Sequence, residues 1–314
     1  MQAEEISRIV GEVLKRLEAA GVSGADVPPP SRIGSGLEAQ GASAAGTASS
    51  AVPPRPSYPL VSSEDVVCAT VDEAVSRAAR AQAVFQHLGL EQRRLIIRAM
   101  RKAAVGAAER LAKMAVEETG MGRVEDKIRK NLVCATRTPG VEDLTSRAYT
   151  GDQGLTLVEY APFGVVAAVT PSTNPGATII NNSISILSAG NGVVFAPHPA
   201  AAKTCAEAMR ILCAAIRAEG GPAGLITTFA KASQDNTKAL LSHPGTRVNL
   251  VTGGPAIVKI AMTAGKTCKT IAAGPGNPPV LVDETANFPK CAQDVIFGAS
   301  FDNNVLCTAE KEVL

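Results

Sequence analysis

A doubly wound α/β fold built on a parallel sheet is the class this sequence predicts, and two observations predict it. From Gly164 onward, short unbroken apolar runs at Val165 to Val169, Val193 to Phe195, Leu225 to Phe229, Val248 to Val251 and Val280 to Val282 alternate with helical segments. Runs without polar alternation suit strands covered on both faces. The helical segments between them are Ala177 to Ala189, Ala200 to Glu219, Asp235 to Ser242 and Ala256 to Ala264. Strand and helix in alternation place helices on both sides of a parallel sheet.

The elements before that sheet read in order. Met1 to Ala20 sets Ile6, Ile9, Val10, Val13, Leu14 and Leu17 at helical spacing opposite Glu5, Arg8, Glu12, Lys15 and Arg16, an amphipathic helix. Gly21 stops it. Residues 21–60 are dominated by Gly, Pro, Ser and Ala, and this composition forms a linker rather than a core. A helix this short is marginal alone, so its stripe is expected to bind a partner helix or groove; packing on its own subunit is the competing reading. Thr70-Val71-Asp72-Glu73 is a capping box, and the sequence after it predicts two helices reaching Thr119 with a break at Gly89. Gly151-Asp152-Gln153-Gly154 is a turn signal before the alternating Leu155 to Tyr160, which predicts an exposed hairpin near 142–160 suited to pairing between subunits.

Composition removes several classes of function. Among 314 residues, 31 Lys and Arg face 29 Asp and Glu, for a net charge of +2, and aromatics are 3% with no Trp. Neither a basic footprint nor a stacking platform for nucleic acid is present. No apolar run approaches the ~18 residues of a membrane helix. Glu4 and Glu5 stand where a secretory signal carries positive charge, so a cytoplasmic protein is expected. The seven cysteines are scattered without a CxxC pair, which argues against a disulfide framework or a zinc ribbon. There is no G-x-S-x-G and no H-E-x-x-H, and no metal site is expected. Gly265-Lys266-Thr267 has Ile260 where a P-loop needs glycine.

Ligands of such sheets bind beyond the carboxyl ends of the strands, which directs attention to the exit loops. Thr170-Pro171-Ser172-Thr173-Asn174-Pro175 is stiffened by two prolines and offers Ser172, Thr173 or Asn174 as donors; a plain tight turn is the alternative. Ala196-Pro197-His198-Pro199 fixes an imidazole at the mouth of the sheet, for binding or for packing. Thr252-Gly253-Gly254-Pro255 leads into a helix whose free N–H groups suit a phosphate, although the spacing is not G-x-G-x-x-G. Gly274-Pro275-Gly276 is a bend nearly without side chains, where backbone approaches something closely. Cys307 follows the turn-forming Phe301-Asp302-Asn303-Asn304 and precedes sequence that reads as helical. A thiolate at a helix N-terminus is a nucleophile; an inert thiol is the competing reading.

The loops PSTNP at 171 to 175, APHPAA at 196 to 201, LVTGGPAIVKIA at 250 to 261, AAGPGNPPVLVDETAN at 272 to 287 and FDNNVLCTAEKEV at 301 to 313 resemble the aldehyde dehydrogenase superfamily, most closely its coenzyme-A-acylating branch. The similarity runs from about Val61 to Leu314. The first 20 residues and the linker look like the encapsulation tag of propionaldehyde dehydrogenases of bacterial microcompartments. The resemblance implies an NAD-binding Rossmann domain over 61–272 and the beginning of a second α/β catalytic domain over 273–314, family subunits continuing well past the nucleophile.

It further implies NAD as cofactor, coenzyme A as acyl acceptor, a short-chain aldehyde such as propionaldehyde as substrate, and Cys307 as nucleophile. The oxyanion donors it implies are the Cys307 N–H and Asn174, or Thr173 in a gapless alignment to hydrolytic relatives. Thr170, Pro171, Ser172, His198, Gly253, Gly254, Ile257, Gly274 and Gly276 are implied to line the cofactor. Hydrolytic members carry a water-activating glutamate where this chain reads Gly274-Pro275-Gly276. Without that carboxylate a thiol acceptor is favoured over water. The tag implies a shell or core protein of the microcompartment as partner and the microcompartment lumen as location, and the family resemblance implies a homo-oligomer for the intact protein. The alternatives are a non-catalytic cargo that keeps tag and sheet, or a gamma-glutamyl-phosphate-reductase type enzyme, which gives no reason for the N-terminal helix.

Overall fold

The computed structural model describes residues 66–263 and 268–314. The N-terminal helix, the linker and the Gly265-Lys266-Thr267 stretch lie outside the described residues.

Six parallel strands form the central sheet: β1 (Val67–Cys68), β4 (Val165–Thr170), β5 (Gly192–Pro197), β6 (Ile226–Phe229), β7 (Thr246–Thr252) and β8 (Lys269–Ala273), in the order β1-β6-β5-β4-β7-β8. All six residues of β4 and all six of β5 are buried, as continuous apolar runs require. Alternate side chains serve opposite layers. Val166, Ala168, Val193 and Phe195 pack with helices α2 (Leu90–Gly106), α3 (Ala108–Thr119), α4 (Val124–Arg137), α5 (Pro175–Ser188) and α6 (Ala202–Ala218). Val165, Ala167, Val169, Val194 and Ala196 pack with α1 (Val71–Phe85), α7 (Gln234–Ser242) and α8 (Pro255–Thr263). The period of two along each strand thus supplies both cores.

The chain moves from β4 through β5 to β6 in one direction, then returns to the other side of β4 with β7 and β8. This reversal opens a crevice beyond the carboxyl ends of β4 and β7.

Several expectations hold. Thr70 caps α1 by accepting from the Glu73 N–H at 3.1 Å, and Glu73 accepts in return from the Ala69 N–H at 2.8 Å. The hairpin forms as β2 (Arg147–Gly151) and β3 (Gly154–Val158), antiparallel and exposed at all ten positions.

Others need correction. Between Thr70 and Thr119 there are three helices rather than two, because Ala107 (φ −99°, ψ 1°) leaves helical geometry just after Gly106 and separates α2 from α3. Helix α4 was not foreseen. The Val280 to Val282 run does not join the main sheet. Pro275, Pro278 and Pro279 remove successive ladder donors. The chain leaves the sheet at Ala273, and β9 (Pro279–Val280) pairs instead with β10 (Glu312–Val313). Helix α9 (Phe288–Ser300) lies between them in sequence.

Helix α4 is fastened at its carboxyl end by Arg101, only 3% exposed, which donates to the carbonyls of Ala135 (3.0 Å) and Thr138 (2.6 Å) and to Glu142 Oε1 (3.1 Å). Burial pulls its guanidinium below the ordinary arginine range, and Glu142 and Asp143 oppose that effect. Arg101→Met would leave those buried carbonyls unpaired, and is expected to lower the free energy of unfolding by about 3 kcal/mol, read from the urea midpoint.

Candidate active site

Four strand exits line up in the order of the sheet. His198 follows β5, Pro171 to Asn174 follow β4, Gly253 and Gly254 follow β7, and Gly274 to Gly276 follow β8. The predicted loops that were scattered through the sequence therefore form one row, because β5, β4, β7 and β8 are consecutive neighbours.

Within that row the residues differ in what they offer. Thr170 is 2% exposed and its hydroxyl lies 3.9 Å from the Cys205 sulfur. Pro171, Ser172, Thr173 and Asn174 are half-buried. His198 is exposed, and its Nδ1 accepts from the Ala200 N–H at 3.2 Å, capping the short turn ahead of α6. The α6 N-terminus is already satisfied: Glu118 accepts from the Lys203 N–H (2.8 Å), the Thr204 N–H (2.7 Å) and the Thr204 hydroxyl (2.6 Å).

Helix α8 differs from α6. Its first turn holds no acidic residue, and it starts directly after Thr252-Gly253-Gly254 with Pro255 at its first position. Gly254 is exposed and has open space where a Cβ would stand, while a Cβ on Gly253 would come within 2.6 Å of Ile257 Cγ2. A helix N-terminus with free amides, reached through glycines, is the donor set that a dinucleotide pyrophosphate requires.

Cys307 is exposed, the one exposed thiol among the seven. A Cβ on Gly276 would lie 2.8 Å from the Cys307 carbonyl oxygen, so the close backbone approach expected at this bend is made to the cysteine itself. The expected helix after Cys307 is absent. Residues 307–309 form a turn, with the Ala309 N–H donating to the Leu306 carbonyl at 3.2 Å, and the chain then runs into β10. Pairing of β10 with β9 extends the backbone at Glu312 and Val313, and no helix starts between Cys307 and that strand.

What joins the Cys307 segment to the sheet is a group of charges that the sequence reading missed. Asp302 is fully buried. Its Oδ2 accepts from Lys127 Nζ at 3.2 Å and from Lys130 Nζ, its Oδ1 accepts from the Arg123 N–H at 2.7 Å, and its own N–H donates to Asp126 Oδ2 at 2.9 Å. The same lysines reach the loop after β4: Lys127 Nζ donates to the Thr173 carbonyl at 2.9 Å, and Lys130 Nζ to Asn174 Oδ1. Burial holds the Lys127 ammonium below the ordinary lysine range, with Lys130 adding to the effect and Asp302 opposing it. Gly122 (φ +76°) makes room, since a Cβ there would lie 2.6 Å from Asp302 Cγ. The signal available in the sequence was Lys127 and Lys130 at i,i+3, behind the first-turn acids Glu125 and Asp126 and the Gly120 and Gly122 punctuation.

The chain belongs to the aldehyde dehydrogenase family, whose sequence profile matches residues 43–314. Over 248 residues it is 51% identical to the acetylating acetaldehyde dehydrogenase EutE of Salmonella typhimurium, covering 79% of this chain and 52% of that protein. It is 46% identical over 251 residues to the CoA-propanoylating propanal dehydrogenase of the same organism, covering 78% of this chain and 52% of that protein. Among solved structures, it is similar to a propionaldehyde dehydrogenase from the Clostridium phytofermentans fucose utilisation bacterial microcompartment, with a TM-score of 0.77 and 48% identity over 80% of this chain and 57% of that one. The Rhodopseudomonas palustris propionaldehyde dehydrogenase, solved with bound CoA and an acylated cysteine, gives the same TM-score of 0.77 at 48% identity, again over 80% and 57%. This chain spans about half the length of the curated relatives it matches. No helix among the described residues is long and apolar enough to cross a membrane.

Cysteine burial makes a direct test of the site. Burial pushes the Cys205 thiol up to about 12, leaving ~10⁻⁴ of it ionised at pH 8. Brief iodoacetamide treatment of the folded chain at pH 8, followed by peptide mass spectrometry, should label Cys307 first and leave Cys205 unmodified until urea is added.

Proposed function

We propose that the intact protein containing this chain is an NAD-dependent, coenzyme-A-acylating aldehyde dehydrogenase acting on a short-chain aldehyde. One observation carries the reading: Cys307, an exposed thiol, has its backbone carbonyl against the carboxylate-free Gly274-Pro275-Gly276 bend, on a segment tied through Asp302 to the lysines that hold Thr173 and Asn174. The relatives' acetylating and CoA-propanoylating activities, and the acylated cysteine of the Rhodopseudomonas palustris structure, support it.

In this reading Cys307 Sγ, as thiolate, adds to the aldehyde carbon to form a thiohemiacetal. The carbonyl oxygen takes up the negative charge, and Asn174 Nδ2 with the Cys307 N–H donates to it. Gly253, Gly254 and the α8 N-terminus, with His198, Pro171, Ser172 and Ile257 beside them, would hold a nicotinamide dinucleotide, which would supply the hydride acceptor for that carbon. Cys307 is then left as an acyl thioester. Gly274 and Gly276 present no carboxylate to ionise water, so the thioester persists until the thiol of coenzyme A adds and expels Cys307 as thiolate. The balance is aldehyde, coenzyme A and NAD⁺ giving acyl-CoA, NADH and one proton.

In the intact protein, NADH formation from acetaldehyde or propanal should depend on coenzyme A, and Cys307→Ala should lower it at least ~10³-fold. Equal rates with and without coenzyme A would remove the acylating reading, and full activity in Cys307→Ala would remove the nucleophile. The choice of propionaldehyde as the short-chain aldehyde rests on the likeness of residues 1–20 to an encapsulation tag.

The amphipathic stripe of Met1 to Ala20 is assigned to a microcompartment shell or core protein, with the lumen as the site of action, and the exposed β2–β3 hairpin to pairing between subunits. Deleting residues 1–20 should abolish co-purification with shell proteins while leaving the thermal midpoint of the rest unchanged. Retained co-purification would refute the assignment.

A further inference from the structure

We propose that Lys130 is a positioning residue that fixes the orientation of the Asn174 carboxamide and biases it toward binding negative charge. This rests on the reading of Asn174 as an oxyanion donor.

An asparagine carboxamide has two nearly isosteric orientations, and its neighbours decide between them. Here Lys130 Nζ occupies Oδ1, and Nδ2 donates one hydrogen to Thr173 Oγ1 at 3.0 Å. Turning the amide over would set its NH₂ against an ammonium, two donors with no acceptor between them. The orientation is therefore fixed, and the second Nδ2 hydrogen remains for another acceptor. The cleft over this amide is lined by Lys127, Lys130, Asn131 and Gly176. Thr173 spends its hydroxyl oxygen accepting from Asn174 and its carbonyl accepting from Lys127.

The charge balance adds a second effect. Lys127 and Lys130 share a single carboxylate oxygen of Asp302, and their side chains are 4% and 10% exposed. Asp126, the other carboxylate of the group, is engaged by Arg123 at 2.7 Å and faces Arg129 at 3.6 Å. Positive charge therefore exceeds negative charge directly behind the Asn174 carbonyl. A cation on Oδ1 draws electron density from the amide and strengthens Nδ2–H as a donor, most of all toward an oxygen that becomes anionic.

The consequence is kinetic rather than one of affinity. In the intact protein, Lys130→Met should lower kcat about 10- to 100-fold, somewhat less than loss of an oxyanion donor, while KM for NAD stays within about twofold. Lys130→Arg keeps the charge and should recover most of kcat. Combining Lys130→Met with Asn174→Ala should be no worse than Asn174→Ala alone, since the lysine acts through the amide. If the two losses multiply, or if Lys130→Met raises KM with kcat intact, the proposal is overturned. Should Lys130→Met fail to fold, Lys130→Gln keeps a donor for Asp302 without the charge and must show the same coupling. A second arm needs no turnover: in ¹⁵N spectra of this chain, the Asn174 side-chain NH₂ pair should shift in Lys130→Met but not in Lys113→Met, a change on the exposed face of α3. An unmoved pair refutes the contact. Absent NADH formation in the wild type would count against the functional reading alone, with the spectra still deciding the role of Lys130.

Discussion

A fully buried carboxylate, Asp302, is the point on which the site depends. A charge withdrawn from water costs several kcal/mol unless it is paired and hydrogen-bonded on every side. Here two ammoniums and the Arg123 N–H donate to the carboxylate, while the Asp302 backbone N–H donates to Asp126. The residues Asp302, Asn303 and Asn304 all adopt left-handed backbone (φ 51°, 53° and 57°), a conformation that Asp and Asn tolerate better than other side-chain-bearing residues. The tight reversal they make turns the chain from α9 toward Cys307. Gly122 on the opposite side gives the carboxylate space that any side chain would take. Polar pairing, backbone tolerance and a missing Cβ thus combine to hold one loop.

The sheet supplies the other half of the geometry. Reversal of strand order between β4 and β7 opens the crevice, and the buried strands on both sides give it rigid walls. Of the helices that open beside it, α6 has its first amides occupied by Glu118, whereas α8 begins after two glycines with no acid in its first turn. That difference, set by one carboxylate on α3, leaves the α8 amides open where those of α6 are taken. His198 and the β4 exit loop flank it as consequences of strand order alone.

Much of this was legible in the letters because it is local. Unbroken apolar runs identify β4 to β7, Thr70 and Glu73 identify the start of α1, and the Gly-Asp-Gln-Gly turn identifies the hairpin. Proline and glycine spacing marked all four exit loops and the close approach at Gly276. The failures also have local causes. Val280 to Val282 looked like another sheet strand because apolar content says nothing about which ladder a strand joins. Helix α4 carries a weak apolar signature because Asp126, Lys127, Lys130 and Asn131 share its buried face with Ile128, Leu132 and Ala135.

By itself, the sequence determined the fold class, the strand and helix alternation, the candidate thiol and the absence of a carboxylate at 274–276, since each follows from residue type and short-range spacing. Only the tertiary structure decided that Cys307 precedes no helix, that its carbonyl rests on Gly276, and that Lys127 and Lys130 reach Asp302 more than 170 residues away. The physical reason is range: hydrophobic period and turn chemistry act over a few residues, whereas the pairing of a buried charge is settled by whichever groups the packed chain brings within hydrogen-bonding distance.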